Sequence, residues 1–478
     1  MFQLSILTTF AAAYAGRAVA KSEPIAQSGS HRVYTRLHFA DGTTIMGAYN
    51  DDLKENEAFF AFTESFLCEG INVPKILAIS EDRVYYLLQD LGDETLFGYL
   101  SRRRKEAGGT DTPADVLDLF REALRQLPRL QLAARHGLDF SRCYPCEEFG
   151  QQAMQWDLNY FKYYFLKLVY IPFDEQTLEN DFQTLIRELL RARHDYFMYR
   201  DFQSRNIMIY EGELYFIDYQ GGRKGALQYD LSSLLFQAKA QLTTVEREEL
   251  LEFYLDELEK HEPVDRDEFR RQYYGYVLIR LLQVLGAYGY RGYFERKPHF
   301  LQSIPPAVEN LRYLLDSGKI PPAMPALTAV LQEITSRTWT LPEPPAGVLT
   351  VEVGSFSFKK GLPVDDSGND GGFIFDCRAL PNPGREVRYR QSTGRDRDVI
   401  EYLEQYPVVD EFKQHVFRVL DMSVDNYLER GFTHLSAYFG CTGGQHRSVY
   451  FAQQAADHLR TKYPQVNVVL KHREQESK

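Results

Sequence analysis

Three oxygen-bearing side chains in "YRDFQSRNIMIYEGELYFIDYQ" stand at spacings suited to phosphoryl transfer: Asp201, Asn206 five residues later, and Asp218 twelve beyond that. A kinase needs one carboxylate to orient the acceptor hydroxyl and take its proton. It needs an amide oxygen and a second carboxylate to hold magnesium against the triphosphate. Asp201 fits the first role, and Asn206 and Asp218 fit the second. "NIMIY" and "LYFIDY" read as short strands joined by "EGE". That loop–strand–turn–strand arrangement folds the three oxygens toward one pocket.

A second constellation lies near the far end, in "GCTGGQHRS", residues 440–448. The stretch before it, "HLSAYF", reads as a strand and the stretch after it, "SVYFAQQAADHL", as a helix. Gly443 and Gly444 then sit where a helix N-terminus leaves backbone N–H groups unpaired, which favours an anion. Thr442, His446, Arg447 and Ser448 add donors, and a phosphate is the natural ligand. The spacing of Cys441 and Arg447 also matches a cysteine phosphatase. In that reading Cys441 is a thiolate nucleophile, and Asp376, Asp396 or Asp398 supplies the proton to the leaving group. A Walker A loop is excluded, because its lysine is missing.

These residues need elements to hold them. "HRVYTRLHF" and "TTIMGAY" alternate as strands around the turn "ADG", the helical "KENEAFFAFTESFLCEG" follows, and "VPKILAI" and "RVYYLLQDLG" are two further short strands. From Leu96 to Arg193 apolar residues recur at three and four, a helical pattern, and helices resume after Asp218. "TWTLPEPPAG", residues 338–347, reads as a proline-rich linker. Beyond it, strands and helices alternate over about 130 residues, as in a compact α/β domain.

Composition bounds the function. A chain of 478 residues is long for one domain. A net charge of −12 gives no broad basic field for nucleic acid. Five cysteines in so long a chain point to a reducing compartment. Cys143 and Cys146 form a single CxxC without a second pair at zinc spacing. The first residues, "MFQLSILTTFAAAYAGRAVA", lack the basic start of a secretory leader, and no run is long and apolar enough to span a membrane.

With these motifs in view, "RDFQSRNIM" followed by "IDYQGGRKGALQYDLSSLL" resembles the aminoglycoside-phosphotransferase-like kinases, and looks closest to the AmgK-type N-acetylmuramate/N-acetylglucosamine kinases. The resemblance covers about residues 1–330. It implies an α+β, protein-kinase-like two-lobed domain that uses ATP and Mg2+. It implies Asp201 as base, Asn206 and Asp218 as magnesium ligands, and Asp230 as a structural acid under the loop. Tyr199 stands where the family usually has histidine. Ser28, Gly29 and Ser30 match the phosphate-covering loop, and Gln89, Asp90 and Leu91 the hinge that binds adenine. The usual strand lysine is absent. Arg32 or Arg36 must then supply the cation, and Glu57 loses its customary partner. Asp157, Gln220 and Arg223 are the acceptor candidates, and the N-terminus becomes the leading helix of the small lobe.

"SFSFKKGLP", "FIFDCRALPNP", "STGRD" and "GCTGGQHRSVYFAQQAADHL" together resemble the C-terminal domain of the RapZ family. That likeness implies a smaller α/β domain that binds an amino-sugar phosphate. Asp376, Arg378, Asn382, Thr393 and Gly394 would line the pocket with the 441–448 loop. The expected organisation is a kinase domain over 1–335, a linker over 336–347 and a phosphosugar-binding domain over 348–478. The expected protein is a cytoplasmic sugar kinase with a phosphosugar-binding regulatory domain. An RNA-binding adapter with a silent kinase fold and a bifunctional enzyme with a Cys441 phosphatase are the alternatives. RNA is not the favoured partner, and no membrane partner is expected.

Overall fold

The structure is a computed structural model. It describes every residue except 1, 26–31, 110, 134–136, 296–297, 322, 340–347, 364–371 and 476–478, and the side chains of 298 and 299. The predicted loop Ser28, Gly29 and Ser30 and most of the proline-rich linker lie outside the described residues. Two compact units emerge, one of residues 1–290 with 300–339, the other of 291–299 with 340–478.

The first unit begins with helix α1 (Leu4–Ala15) and a five-stranded antiparallel sheet in the order β1-β2-β3-β5-β4. Its strands are β1 (Val19–Pro24), β2 (Val33–Phe39), β3 (Thr44–Tyr49), β4 (Ile76–Ile79) and β5 (Tyr85–Gln89). β1 was not legible as a strand because "VAKSEP" is a polar edge without apolar alternation. Leu7 and Ala11 of α1 are buried with Leu37, Tyr49, Tyr85 and Leu87. Gly47 in β3 permits this approach, since a Cβ there would lie 2.9 Å from Leu7 Cδ1.

Helix α2 (Leu53–Cys68) crosses behind the sheet. Asp52 caps it by accepting from the Lys54 and Glu55 amides, which satisfies two of its orphan donors. Its aromatic run turns Phe59, Phe62 and Phe66 inward, where Phe66 meets Phe197 and Tyr219 edge to face. Burying three such rings is worth several kcal/mol, at about 2 kcal/mol each.

The large lobe is helical: α3 (Leu96–Ala107), α4 (Ala114–Leu132), α5 (Gln151–Phe161), α6 (Glu175–Leu189), α7 (Leu227–Leu235), α8 (Thr244–Glu259), α9 (Arg266–Tyr288), α10 (Pro298–Leu301), α11 (Ile304–Asp316) and α12 (Pro325–Ser336). Two small sheets punctuate it. One pairs β6 (Tyr196–Met198) with β9 (Arg223–Gly225), the other β7 (Ile207–Tyr210) with β8 (Glu213–Phe216). β7 and β8 are the hairpin predicted around "EGE". Three-residue β6 and β9 are too short to show a period.

The second unit is a four-stranded, all-parallel sheet in the order β11-β12-β10-β13, from β10 (Thr350–Ser357), β11 (Gly372–Asp376), β12 (His434–Cys441) and β13 (Asn467–His472). Helices α13 (Arg397–Glu404), α14 (Pro407–Glu429) and α15 (Arg447–Lys462) complete it. Its core is separate, built on Val351, Val353, Ala437, Phe439, Phe451 and Leu459. β10 and β12 run in register so that Ser357 lies beside Cys441. The carboxyl ends of parallel strands, where such sheets place ligands, carry both residues.

Candidate phosphotransfer site and anion loop

The first site is assembled by the loop between β6 and β7 and the residues just after β8. Asn206 Nδ2 donates to the Asp201 carbonyl at 2.9 Å and to Asp218 Oδ2 at 3.1 Å. Its amide nitrogen is thereby spent within the site, leaving Oδ1 as the amide atom suited to a hard cation. Gln220 Nε2 holds the other Asp218 oxygen at 2.8 Å. Tyr219, between Asp218 and Gln220, buries its ring nearly parallel to Phe59 with centroids 5.3 Å apart and shares a 2.6 Å hydrogen bond with Thr63. α2 is therefore tied directly to the residue beside Asp218.

Arg200 and Asp218 both take the left-handed backbone region, with φ of 79° and 70°. Non-glycine residues adopt it at a cost and need to be held there. Asp230 of α7 holds the first, its two carboxylate oxygens each accepting a backbone N–H, from Tyr199 and Arg200, at 2.9 Å. Gln131 adds a third bond. Burial outweighs these bonds and pushes the Asp230 carboxyl up to about 7. Tyr199, in place of the family histidine, donates its hydroxyl to the Ile217 carbonyl at 2.5 Å.

Asp201 Oδ1 accepts from Arg280 Nη2 at 2.9 Å. The surrounding protein alone would raise the Asp201 carboxyl. The charges of Arg280, Arg200 and Arg205 win, and it titrates below the ordinary aspartate range. Asp218 moves the opposite way: burial and the charge of Asp201 push it up, against Gln220, Arg205 and Arg32. Asp201 is therefore an ionised acceptor at neutral pH, and Asp218 is a carboxylate short of positive charge. One carboxylate and one amide oxygen suit a divalent ion that completes its shell with phosphate and water. No cluster of three His, Cys, Asp or Glu side chains fit for a metal occurs among the described residues. Arg280, buried on α9, has no motif around it and was missed by sequence reasoning.

The two cation candidates separate. Arg36 is spent on the 90–93 turn, bonded to Asp90 at 2.7 Å, Asp93 at 2.8 Å and the Gly92 carbonyl at 3.1 Å. Its predicted alternative role in holding phosphate is corrected: the acidic "QDLGD" turn captures it. The Asp90 side chain serves that pair, and Leu91 is buried. Gln89 pairs through its backbone N–H with the Lys75 carbonyl at 2.9 Å. Arg32 is buried just before β2, 3.4 Å from Glu55 of α2, with its guanidinium over the Phe59 ring. Glu57, expected to lose its partner, is paired with Arg83.

The three acceptor candidates are all held within the protein fabric. Asp157 of α5 is clamped by Arg200 through two bonds, at 2.8 and 2.9 Å. Gln220 secures Asp218, and Arg223 donates to Cys146 Sγ at 3.1 Å and to the Gly221 carbonyl at 3.0 Å. Proximity in the fold gives their polar groups to neighbours.

In the second unit the 441–447 loop closes over the end of β12. Cys441 is buried, and its sulfur lies 3.1 Å from Ser448 Oγ. Burial would raise the thiol, but the Ser448 hydroxyl and the Ser448, Gln445 and Gly444 amides outweigh it and lower its pKa. Gly444 sits at φ +66°, where a Cβ would strike Glu474 and come 3.0 Å from the Ser357 nitrogen. Ser357 Oγ donates to the Thr442 carbonyl at 2.8 Å, and Gly443 faces open space. Gly394 packs on the start of α15, donating its N–H to the Gln445 carbonyl at 2.9 Å. His446 reaches the Tyr389 carbonyl at 2.7 Å.

Arg447 directs Nη1 to the carbonyls of Arg378 and Leu380, at 2.9 Å each. Its Nε is buried and without a hydrogen-bond partner. One edge of the guanidinium is thus fixed by backbone, and the edge carrying Nε is not. Asp376 and Arg378 pair with each other at 2.6 Å, and Asn382 caps the Gly384 amide at 3.3 Å. Thr393 donates to Asp396 twice. These partners hold Asp376 and Asp396 below the usual carboxylate range, and Asp398 is bonded to Ser392 at 3.1 Å. Firmly ionised acids are poor proton donors, so the arrangement suits anion binding better than ester cleavage.

A model described as the APH phosphotransferase enzyme family matches residues 21–267, just over half of the chain. This chain belongs to that family. The RapZ C-terminal domain model matches residues 349–476. Among curated relatives, a "nucleotide-binding protein" of Thermotoga neapolitana is 41% identical over 131 residues, which is 27% of this chain and 44% of the relative. One from Psychrobacter is 39% identical over 127 residues, 26% of this chain and 39% of the relative. The chain thus spans less than half the length of these relatives. Among solved structures, an ethanolamine kinase from Plasmodium vivax is 12% identical with a TM-score of 0.44, covering 63% of this chain and 84% of its own. Choline kinase LicA from Streptococcus pneumoniae is 14% identical with a TM-score of 0.41, covering 64% and 99%. This chain thus joins an APH-family phosphotransferase domain, matched over residues 21–267, to a RapZ C-terminal domain, matched over residues 349–476. No described helix is long and apolar enough to cross a membrane.

Proposed function

We propose that this chain is a cytoplasmic, ATP- and magnesium-dependent kinase that phosphorylates a hydroxyl of a hexosamine or related cell-wall sugar, and that residues 348–478 bind a phosphosugar and regulate it. The observation that carries the kinase reading is the Asn206 side-chain amide, which ties the Asp201 main-chain carbonyl to the Asp218 carboxylate. Magnesium, when bound by Asp218 and the Asn206 oxygen, neutralises charge on the transferred phosphoryl group. Asp201, ionised and aimed by Arg280, accepts the proton of the acceptor hydroxyl as that oxygen attacks. Arg32, positioned by Glu55, supplies the positive charge that a strand lysine gives elsewhere.

The phosphosugar-binding reading is supported by the strand–glycine loop–helix unit of β12 and α15, with Gly444 at φ +66°, and by the unpartnered Nε of Arg447. Such a cradle fits a phosphate monoester. ATP consumption against a panel of free hexosamines, with Asp201→Asn as control, tests the kinase. Turnover of at least one sugar that the variant loses by about a thousandfold is expected. Equal turnover by the variant removes the assigned base. Titration of the full chain with glucosamine-6-phosphate tests the second domain.

A further inference from the structure

Cys143 and Cys146 belong to neither site, yet the fold gives them a defined setting. Both are half-buried against the core of the first unit, and both are free thiols. Cys146 Sγ accepts from Arg223 Nη1 at 3.1 Å and donates to the Glu148 carbonyl at 3.3 Å. Burial pushes the Cys143 thiol up to about 12, and the backbone of Lys224 and the sulfur of Cys146 are among the groups acting on it. The segment carrying the pair is laced to β9: Lys224 N–H donates to the Glu147 carbonyl at 2.9 Å, and Phe149 N–H to the Lys224 carbonyl at 2.7 Å.

β9 is also the strand that follows Asp218. Arg223 Nη2 donates to the Gly221 carbonyl at 3.0 Å, and the preceding residue, Gln220, holds Asp218 Oδ1 at 2.8 Å. A continuous path of hydrogen bonds and three residues of chain thus runs from the Cys146 sulfur through Arg223, Gly221 and Gln220 to the proposed magnesium ligand.

We infer that Cys143 and Cys146 form a thiol-oxidation site whose disulfide weakens magnesium binding at Asp218. The oxidant is a hydroperoxide. The sulfur of Cys146, the one contacted by Arg223, attacks the terminal peroxide oxygen; the O–O bond breaks, an alcohol leaves, and Cys146 becomes a sulfenic acid. The Cys143 thiol then attacks the Cys146 sulfur and gives its proton to the departing hydroxyl, which leaves as water as the disulfide closes. Two thiols lose two protons and two electrons, and the hydroperoxide becomes one alcohol and one water. The disulfide takes from Arg223 the sulfur it now donates to, which frees Arg223 to move and loosens the Gly221–Gln220 turn.

The test uses the full, reduced chain, treated with stoichiometric tert-butyl hydroperoxide, alkylated and read by peptide mass. Cys68 is exposed and serves as the internal control. The expected result is a 143–146 peptide lighter by two hydrogens and unalkylated at both sulfurs, while Cys68 still takes label. Labelling of Cys143 and Cys146 to the same extent as Cys68 overturns the site. This readout does not depend on the kinase reading. The coupling does rest on it, and is read separately as magnesium binding by titration in the presence of ATP. Oxidation should raise the magnesium requirement about tenfold, the low end of what disturbing an outer-shell partner costs. Cys146→Ser keeps an acceptor for Arg223 and should make that requirement indifferent to hydroperoxide. An unchanged requirement after a demonstrated disulfide, or an equal response in Cys146→Ser, overturns the coupling.

Discussion

Arg280 Nη2 lies 2.9 Å from Asp201 Oδ1, joining the middle of α9 to the loop before β7. The guanidinium is buried and is fixed from the other side by Gln283 Oε1 at 2.9 Å and the Tyr229 hydroxyl at 3.3 Å. A carboxylate that must meet a hydroxyl at one angle gains from such a fixed partner. Arg280→Met should lower kcat about a hundredfold, the cost of a small misplacement of a reacting group. The KM for ATP should move little, and Arg280→Lys should recover part of the rate. Steady-state kinetics on the acceptor found in the sugar panel checks this. A change confined to KM for ATP would place Arg280 elsewhere in the mechanism.

Arg32, just before β2, and Glu55 of α2 stand 3.4 Å apart. Arg32→Gln should weaken ATP by about 10- to 100-fold, the value of one charge-assisted hydrogen bond. Glu55→Gln should have a smaller effect in the same direction. Arg36→Gln should instead lower thermal stability by loosening the 90–93 turn. Nucleotide titration and melting curves on the three variants separate these outcomes.

The Asp230 carboxyl titrates near 7 in the fold, against an ordinary value of 3.8. Between those values the unfolded chain has lost the proton and the folded chain keeps it. Asp230 thus stabilises the fold fully below pH 4, and that contribution falls as pH rises toward 7 and is flat above. The effect is several kcal/mol, at about 1.4 kcal/mol per tenfold change. Asp230→Asn should be less stable at pH 5 and should lose the downward slope between pH 4 and 7. Calorimetry of both proteins across that range measures it. Parallel curves would show that Asp230 is ionised in the fold.

Gly444→Ala places a Cβ in the left-handed region and against Glu474 and the Ser357 nitrogen. The backbone term alone costs roughly 1–2 kcal/mol. Binding of glucosamine-6-phosphate should be lost, with the kinase domain still folded. Arg447→Met should weaken the phosphosugar by about 10- to 100-fold. Cys441→Ser should bind it nearly as well as the natural chain, and neither protein should hydrolyse a generic phosphate ester. Hydrolysis that depends on Cys441 would restore the phosphatase reading.

Much of this protein was legible in its residues. The hairpin around "EGE", the spacing of Asp201, Asn206 and Asp218, and the strand–glycine loop–helix of 434–462 are local patterns. Periodicity and backbone chemistry fix such patterns over ten or twenty residues. Polar partners were not legible, because they join residues that are distant in the chain. Nothing near Arg280 marks it for Asp201, 79 positions away, and nothing in "QWDLNY" shows that Asp157 belongs to Arg200. Arg32 and Arg36 look alike in sequence. Only the fold sends one to Glu55 and the other to the 90–93 turn, because Arg32 lies just before β2, within reach of α2, and Arg36 lies within the strand, within reach of Asp90 and Asp93. The sequence by itself determined which chemically capable side chains are present and roughly where they lie. Tertiary packing decided which charges pair with each other and which keep an edge for a ligand, since that choice depends on distances set by the whole core.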